Sequence, residues 1–388
     1  MNVPKIRYDN FTKEWEKVKL SSQASFLQGL TYTPNDVSND GTIVLRSSNI
    51  QNSMVDYNDI VRVNIIIPEK LKIKENDILM CVRNGSKSLV GKTAWLSKNE
   101  EKCTWGAFMN IIRPKEKNKF VYYYLNSKYF YNHVWKDLGT ATVNQITKQT
   151  LESCYLNIPS IEEQEKISNT LSLLDQKIKL QNKKIEDLKL FKKGLIQKIF
   201  SSNNLSEVQI KDLGTIITGT TPSKENKNYW NDGTIAWITP TDINYERDIS
   251  NSITSLTKEG LKKGRFVPKN SILVTCIASI GKNAVIKVDG SCNQQINAII
   301  PNNKFNSNYI YYLMEYISPY LQSIAGTSAT AIVNKETFER IKVKVHNYND
   351  QSRIDKYLSS VETKILLEDK LLNKLIKLKK GLMQSMFV

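Results

Sequence analysis

Apolar positions along this chain follow two alternating regimes. Over roughly the first 158 residues the apolar runs are short and rich in β-branched residues, at Thr42–Leu45, Val61–Ile67, Ile78–Val82 and Asn110–Ile112. Gly, Asn, Asp and Ser clusters separate them, a pattern that predicts strands and turns. An aromatic-rich stretch follows, in which Phe120, Tyr123, Tyr124, Tyr131 and Val134 recur at helical spacing. That spacing predicts a helical segment whose aromatic face lines a core. The segment closes on a polar loop of small residues, GTATVNQIT (139–147). The period then changes. Ile167, Leu171, Leu174, Ile178, Ile185, Leu188, Leu195 and Ile199 fall three or four residues apart, or at sums of these, which is a heptad seam held for more than four heptads. A helix of about 40 residues is roughly 60 Å long. Polar on its other faces, it calls for a partner helix along the seam.

After residue 203 the pattern starts again. Residues 138–200 align without a gap onto 325–387 at an offset of 187, with 20 of 63 pairs identical, where chance would give about 4. FKKGLIQKIF (191–200) matches LKKGLMQSMF (378–387), NDILMCV (76–82) resembles NSILVTC (270–276), and VGKTAWL (90–96) matches IGKNAVI (280–286). The second aromatic stretch carries Tyr309, Tyr312, Leu313, Tyr316 and Ile317, and the second seam Ile354, Leu358, Val361, Ile365, Leu372, Leu375, Leu382 and Met386. The expected organisation is therefore α+β: a mixed domain at 1–158, a helix at 159–203, a second mixed domain at 204–346 and a second helix at 347–388. Each helix leads out of one mixed domain, so the two are expected to pair antiparallel as a coiled coil with pseudo-two-fold symmetry. Polar interruptions fall at matching seam positions, Gln181 with Glu368 and Lys192 with Lys379, where register is commonly set.

Charge narrows the function. Net charge is +17 and the isoelectric point about 9.4, a balance that favours a polyanionic partner because cations that neutralise phosphates release condensed counterions. The five cysteines, Cys81, Cys103, Cys154, Cys276 and Cys292, are scattered, and His133 and His346 are the only histidines. No zinc-ligand cluster can be assembled from them, and reduced, buried thiols are expected. No apolar run is long enough to span a bilayer, so a cytoplasmic protein without a membrane partner is expected. GSKSLVGKT (85–93) is one residue too long for a phosphate-binding loop and is followed by strand-like sequence. No dinucleotide fingerprint, adenine-methyltransferase signature or Ser/His/Asp set appears. A self-contained nuclease or methyltransferase is thus disfavoured. A coiled-coil protein scaffold without sequence-specific DNA reading is the alternative, against which the charge and the polar loops argue.

A mixed domain, a Gly-Thr loop and a helix that opens on EEQEKI (162–167) and closes on KKGLIQKIF (192–200), all repeated through KKGLMQSMF (379–387), resembles the specificity subunits of type I restriction–modification enzymes. Trp15 and the turns LQGLTYTP and ITGTTPS fit as well. The second copy departs at NDQSRI (349–354), keeping only Gln351 and Ile354 of the helix-opening motif. The resemblance implies a non-catalytic subunit that reads a split, asymmetric double-stranded DNA target, one half-site per mixed domain. It implies two methyltransferase subunits docked on the helices and two restriction subunits completing the cutting form. S-adenosylmethionine, ATP and Mg would serve those partners, with no cofactor in this chain, and adenine would be the methylated base.

Base reading calls for amide and guanidinium groups in exposed loops, and phosphates for Lys, Ser, Thr and backbone amides. In the first copy the candidates are Arg46, Ser48, Asn49, Arg83, Asn84, Ser86, Lys87, Thr140, Thr142, Asn144 and Gln145. In the second they are Thr239, Thr241, Asp242, Ser279, Lys282, Asn293, Gln294, Gln295, Thr327 and Ser328.

Overall fold

The computed structural model describes residues 3–140, 144–202, 205–244, 246–325 and 331–388, with backbone alone at 136–140. The chain divides into two compact units, Met1–Asn182 with Lys370–Val388, and Lys183–Asp369. Both are built to one plan.

In the first unit an antiparallel sheet runs in the order Ala24–Gln28, Met109–Pro114, Ile78–Cys81, Thr93–Trp95. A second sheet orders Cys103–Trp105, Thr42–Leu45, Val61–Val63 and Val37–Ser38, its first pair parallel. Strand alternation sends side chains to two cores. Ile78, Met80 and Ile112 join Phe120, Tyr123 and Leu171, while Leu79, Cys81 and Ile111 join Val44, Leu45 and Trp105. Buried on both faces, these strands read as unbroken apolar runs. The strand expected over 61–67 stops at Val63, because its outer neighbour Val37–Ser38 is only two residues long and Asn64 gives its amide to the Asp36 carbonyl.

The second unit repeats this. Gly214–Thr218, Ile296–Pro301, Ile272–Thr275 and Asn283–Ile286 take the same order, and Asp248–Ile249 adds a fifth, parallel strand. Ser255–Leu256, Ile235–Ile238 and Gly290–Cys292 form the second sheet. The aromatic stretch is two helices in the first unit, Phe120–Leu125 and Lys128–Thr140, and one in the second, Ser307–Ile324. The helix therefore runs on to Thr140, two residues into the expected polar loop. Phe120, Tyr123, Tyr124, Tyr309 and Tyr312 are buried, as their spacing predicts.

The long helices span Ile161–Phe200 and Tyr348–Ser385. In the first unit Ile167 and Leu171 share a core with Met383, Met386 and Phe387, while Asp175 pairs with Lys379 at 2.5 Å. In the second, Lys184 pairs with Glu368 and Lys192 with Glu362, at 2.5 and 2.6 Å. One helix advances as the other retreats, so the pair is antiparallel within each unit. The eight predicted seam residues of the first helix are all buried or half-buried.

Each unit grips both helices with the same cluster. In the first, the Tyr123 hydroxyl donates to Asp175 Oδ2 at 2.8 Å and lies 3.1 Å from Ser172 Oγ, and Lys379 Nζ sits over the Tyr123 ring. In the second, Tyr312 donates to Glu362 Oε2 at 2.8 Å beside Ser359, and Lys192 lies over Tyr312. Burial pushes both phenols well above the usual range, so they stay protonated donors. The matched seam lysines are therefore anchors to the mixed domains. The second cluster is larger: Lys192 also bonds Glu315, and Arg247 reaches Tyr312, Ser359 and Glu362.

A buried glutamine starts each helix. Gln164 accepts from Asn118 and donates to the Pro159 carbonyl; Gln351 accepts from the Asn306 amide and donates to the His346 carbonyl. The shared task fits the glutamine common to both helix openings, Gln164 and Gln351. In the first unit the neighbouring Glu163 adds a bidentate pair with Arg7 and accepts from Trp15 Nε1.

Candidate nucleic-acid interface

In the first unit three chain segments converge beyond the ends of the central strands. Arg83 bridges to Gln145 in antiparallel fashion, the Asn84 amide donates to the Asn144 carbonyl at 3.3 Å, and Asn144 Nδ2 donates to the Gly85 carbonyl. Asn84 Nδ2 reaches Ser47 Oγ at 3.1 Å, which draws in the Arg46–Asn49 turn. The Phe108 carbonyl accepts from the amides of Val82 and Arg83, adding a fourth segment. Candidates far apart in sequence thus share one surface, with Arg83, Ser48 and Ser86 exposed on it.

The second unit assembles the equivalent surface. Asn293 donates its amide to the Ile238 carbonyl, Cys276 to that of Gln295, and Ala278 to that of Ala331. This gathers Thr239 and Thr241, Ser279 and Lys282, and Gln294 and Gln295 around one rim. Thr241, Ser279, Lys282 and Gln294 are exposed.

A repeated glycine makes the convergence possible. A Cβ on Gly29 would lie 2.0 Å from the Gly106 carbonyl oxygen, and one on Gly219 would lie 2.2 Å from that of Asn293. Only glycine lets this turn press against the loop that bears Phe108 or Gln294. The matched Gly91 and Gly281 have φ near +88° and +85°, and a Cβ there would meet Tyr131 or Ser318. Strand Thr93–Trp95 follows the first of them. The phosphate-loop look-alike is a turn packed on the aromatic helix.

Not every candidate faces outward. Asn49 is fully buried: its Oδ1 accepts the Arg46 amide and its Nδ2 donates to the carbonyls of Asp56 and Asp59. It is a loop staple, which corrects its assignment as a base reader. Asp242 is corrected likewise, since its carboxylate caps the Thr239 turn and takes the Ile253 amide. Asn293 is buried and donates to Gln295 Oε1 at 2.9 Å, so it orients that glutamine and presents no free edge. Arg46 is held by Asp59 at 2.9 Å. Thr142, Thr327 and Ser328 lie outside the described residues, as does the side chain of Thr140.

Sequence reasoning missed two aromatic groups. Phe108 is 57% exposed with the Arg83 guanidinium 5.1 Å above its ring, and Trp135 is 44% exposed with Lys87 Nζ at 4.8 Å. Phe108 could have been noticed as a large apolar residue in a Gly-Ala-Phe turn. Trp135 was masked by the aromatic periodicity around it.

Among the described residues no group of His, Cys, Asp and Glu could hold a metal ion, and no helix is long and apolar enough to cross a membrane. All five cysteines are buried, and burial pushes Cys276 up to about 11 and Cys292 up to about 12, which makes these two unreactive packing. His133 lies 3.2 Å from Ser153 Oγ and His346 stacks edge-on against Phe200; both serve structure.

A family model described as the type I restriction modification DNA specificity domain matches residues 12–190 and 203–377, once per repeat. The MjaIX specificity subunit of Methanocaldococcus jannaschii, a type I restriction enzyme subunit, is 36% identical over 42% of this chain; the match spans 38% of that relative. The StySPI specificity subunit of Salmonella potsdam is 23% identical over 81% of this chain and 74% of its own length. A crystal structure of a type I restriction–modification S subunit from M. genitalium superposes with a TM-score of 0.59 at 17% identity, covering 100% of this chain and 99% of that one.

Proposed function

The chain belongs to the type I restriction–modification DNA specificity family, and from that premise we propose that it is the non-catalytic sequence reader of such a complex. Each unit reads one half of a bipartite, asymmetric double-stranded DNA target. The long helices carry the docking surface for two methyltransferase subunits, and two restriction subunits complete the cutting form. S-adenosylmethionine, ATP and Mg belong to those partners, and the assembly works in the cytoplasm on adenine.

The observation that carries this reading is the duplicated rim of polar loops, assembled from the same strand ends in both units yet lined by different side chains. Arg83, Asn84 and Lys87 stand in one, Thr241, Lys282 and Gln294 in the other. A shared scaffold with divergent rims is what reading two unlike half-sites requires, because base edges, not the backbone, carry sequence information. The net charge of +17 supplies the sequence-independent attraction.

The test is to combine the chain with its methyltransferase partner and S-adenosylmethionine, modify random-sequence DNA and map the methylated adenines. Two short specified blocks around a fixed unspecified gap are expected. Methylation with no sequence preference, or methyl transfer by the purified chain alone, overturns the reading.

A further inference from the structure

We propose that Arg83, seated on the exposed ring of Phe108, reads a guanine through its major-groove edge within the half-site of the first unit. This rests on the DNA-reading assignment above and names the base that one side chain selects.

The first unit contains five arginines, Arg7, Arg46, Arg62, Arg83 and Arg113. Four have their guanidinium groups engaged by acceptors of the chain itself. Arg7 pairs with Glu163, Arg46 with Asp59 and Arg113 with Asp77, and Arg62 donates to the Gly41 carbonyl. Among the described residues Arg83 has no such acceptor; its partner is the Phe108 ring, 5.1 Å away. The ring offers no acceptor oxygen, so the N–H donors of this exposed guanidinium stay available to a ligand. Phe108 itself is held from below, since its carbonyl accepts the Val82 and Arg83 amides at 3.0 and 3.2 Å. The contact with the ring restrains the guanidinium before DNA arrives, which lowers the entropy lost on binding.

The place of the fork fits a reader. Arg83 sits where the three segments meet, bridged to Gln145 and followed by Asn84, which is tied to Ser47. A fork of parallel donors needs two acceptors side by side. In the major groove guanine offers O6 and N7; adenine pairs one acceptor with a donor, thymine offers one beside a methyl group, and cytosine offers a donor. A phosphate could also take the fork, but a phosphate contact carries no sequence information, so the two differ in their readout.

The experiment uses the full chain with its methyltransferase partner and maps methylated motifs for the parent, Arg83→Lys, Arg83→Ala and Phe108→Ala. Both side chains are exposed, so all three variants are expected to fold. The parent should specify guanine at one position of one half-site. Arg83→Lys, which keeps the charge and loses the fork, should relax discrimination at that position by about 5- to 150-fold, with the other half-site unchanged. Phe108→Ala should relax the same position to a smaller extent. If Arg83→Ala weakened all sequences alike and Arg83→Lys restored them, Arg83 would be a phosphate contact and the proposal would fall. It would fall too if the relaxed position were not guanine. A parent complex with no bipartite motif would instead overturn the functional reading, and this proposal with it.

Discussion

Replacing Lys192 with Met tests the larger anchor cluster most directly. The methionine keeps the apolar stem over Tyr311 and Tyr312 but removes the charge that lies 2.8 Å from Glu315 and 2.6 Å from Glu362. Two carboxylates then face each other with Arg247, 3.2 Å from Glu362, as the remaining cation. Removing one partner of a buried ion pair costs about 3–5 kcal/mol. Here the side chains are 13%, 17% and 31% exposed, so screening brings the expected cost to about 2–3 kcal/mol. For a unit of this size that is a fall in melting temperature of about 4–12 °C. Burial already raises the Glu315 pKa against the pull of Lys192, and losing the lysine raises it further. A carboxyl whose folded pKa lies above its unfolded value near 4.3 binds more protons when folded, so stability recovers as pH falls through the folded value. The deficit of Lys192→Met, followed by thermal denaturation monitored by circular dichroism, should shrink as pH is lowered from neutral through the raised carboxyl value. Adding Glu315→Gln should restore much of it at neutral pH. The matched Lys379→Met, facing the single and more exposed Asp175, should cost about 1 kcal/mol or less. A Lys192→Met protein that melted with the parent, or lost further stability on acidification, would refute the compensated-cluster argument.

Gln351→Ala strands the half-buried Asn306 amide and His346 carbonyl that it now pairs, and should cost about 1–2 kcal/mol by denaturant titration; an unaffected midpoint would mean the glutamine does not hold the helix start. His346 is shifted below the ordinary histidine value by burial, with Asp350 opposing. Its stabilising contribution is therefore present above about pH 6.5 and lost as pH falls towards the folded value, so His346→Asn should flatten the acid limb of the second unit's stability profile.

The repeat, the seam and the core face of the aromatic helices were readable because periodicity and burial are local properties written at fixed spacing. Gln164 and Gln351 were visible as a shared residue, but their task was not, since it depends on carbonyls that only the fold brings near. The lysines at 192 and 379 read as polar breaks in a seam. They are anchors because Tyr312 and Tyr123, from another helix, meet them there. At the rim, residue type was a poor guide to exposure. Asn49 and Asp242 sit in turns that look solvent-facing, yet such turns consume Asn and Asp side chains to satisfy their own amides. Arg83 and Arg46 are equivalent by composition; only the position of Asp59 separates them.

A fragment ending near residue 203 should form a symmetric dimer. The first unit is completed by the C-terminal helix, whose Met383, Met386 and Phe387 enter its core, with Phe387 centred 5.1 Å from Phe120. The Ser385 and Val388 carbonyls accept from the Ile6 amide and from Asn157. The fragment lacks all of this, but it carries the equivalents of those apolar residues at the end of its own helix, Ile196, Ile199 and Phe200. In the intact second unit these do the same work, with Phe200 centred 5.3 Å from Tyr309. A second copy can therefore lend its Lys192, Ile196 and Phe200 to the places left by Lys379, Met383 and Phe387, and receive the same in return through a two-fold axis. Each large side chain reburied is worth about 1.5–3 kcal/mol before entropy losses, and two ends close at once. Sedimentation should show a dimer at micromolar concentration, and Phe200→Asp in the fragment should abolish it. With a methyltransferase partner the dimer presents one reader twice, so the mapped adenines should define an interrupted palindrome built from the first half-site. A stable monomer, or a dimer that still modified the asymmetric target, would mean that the two helix ends are not interchangeable.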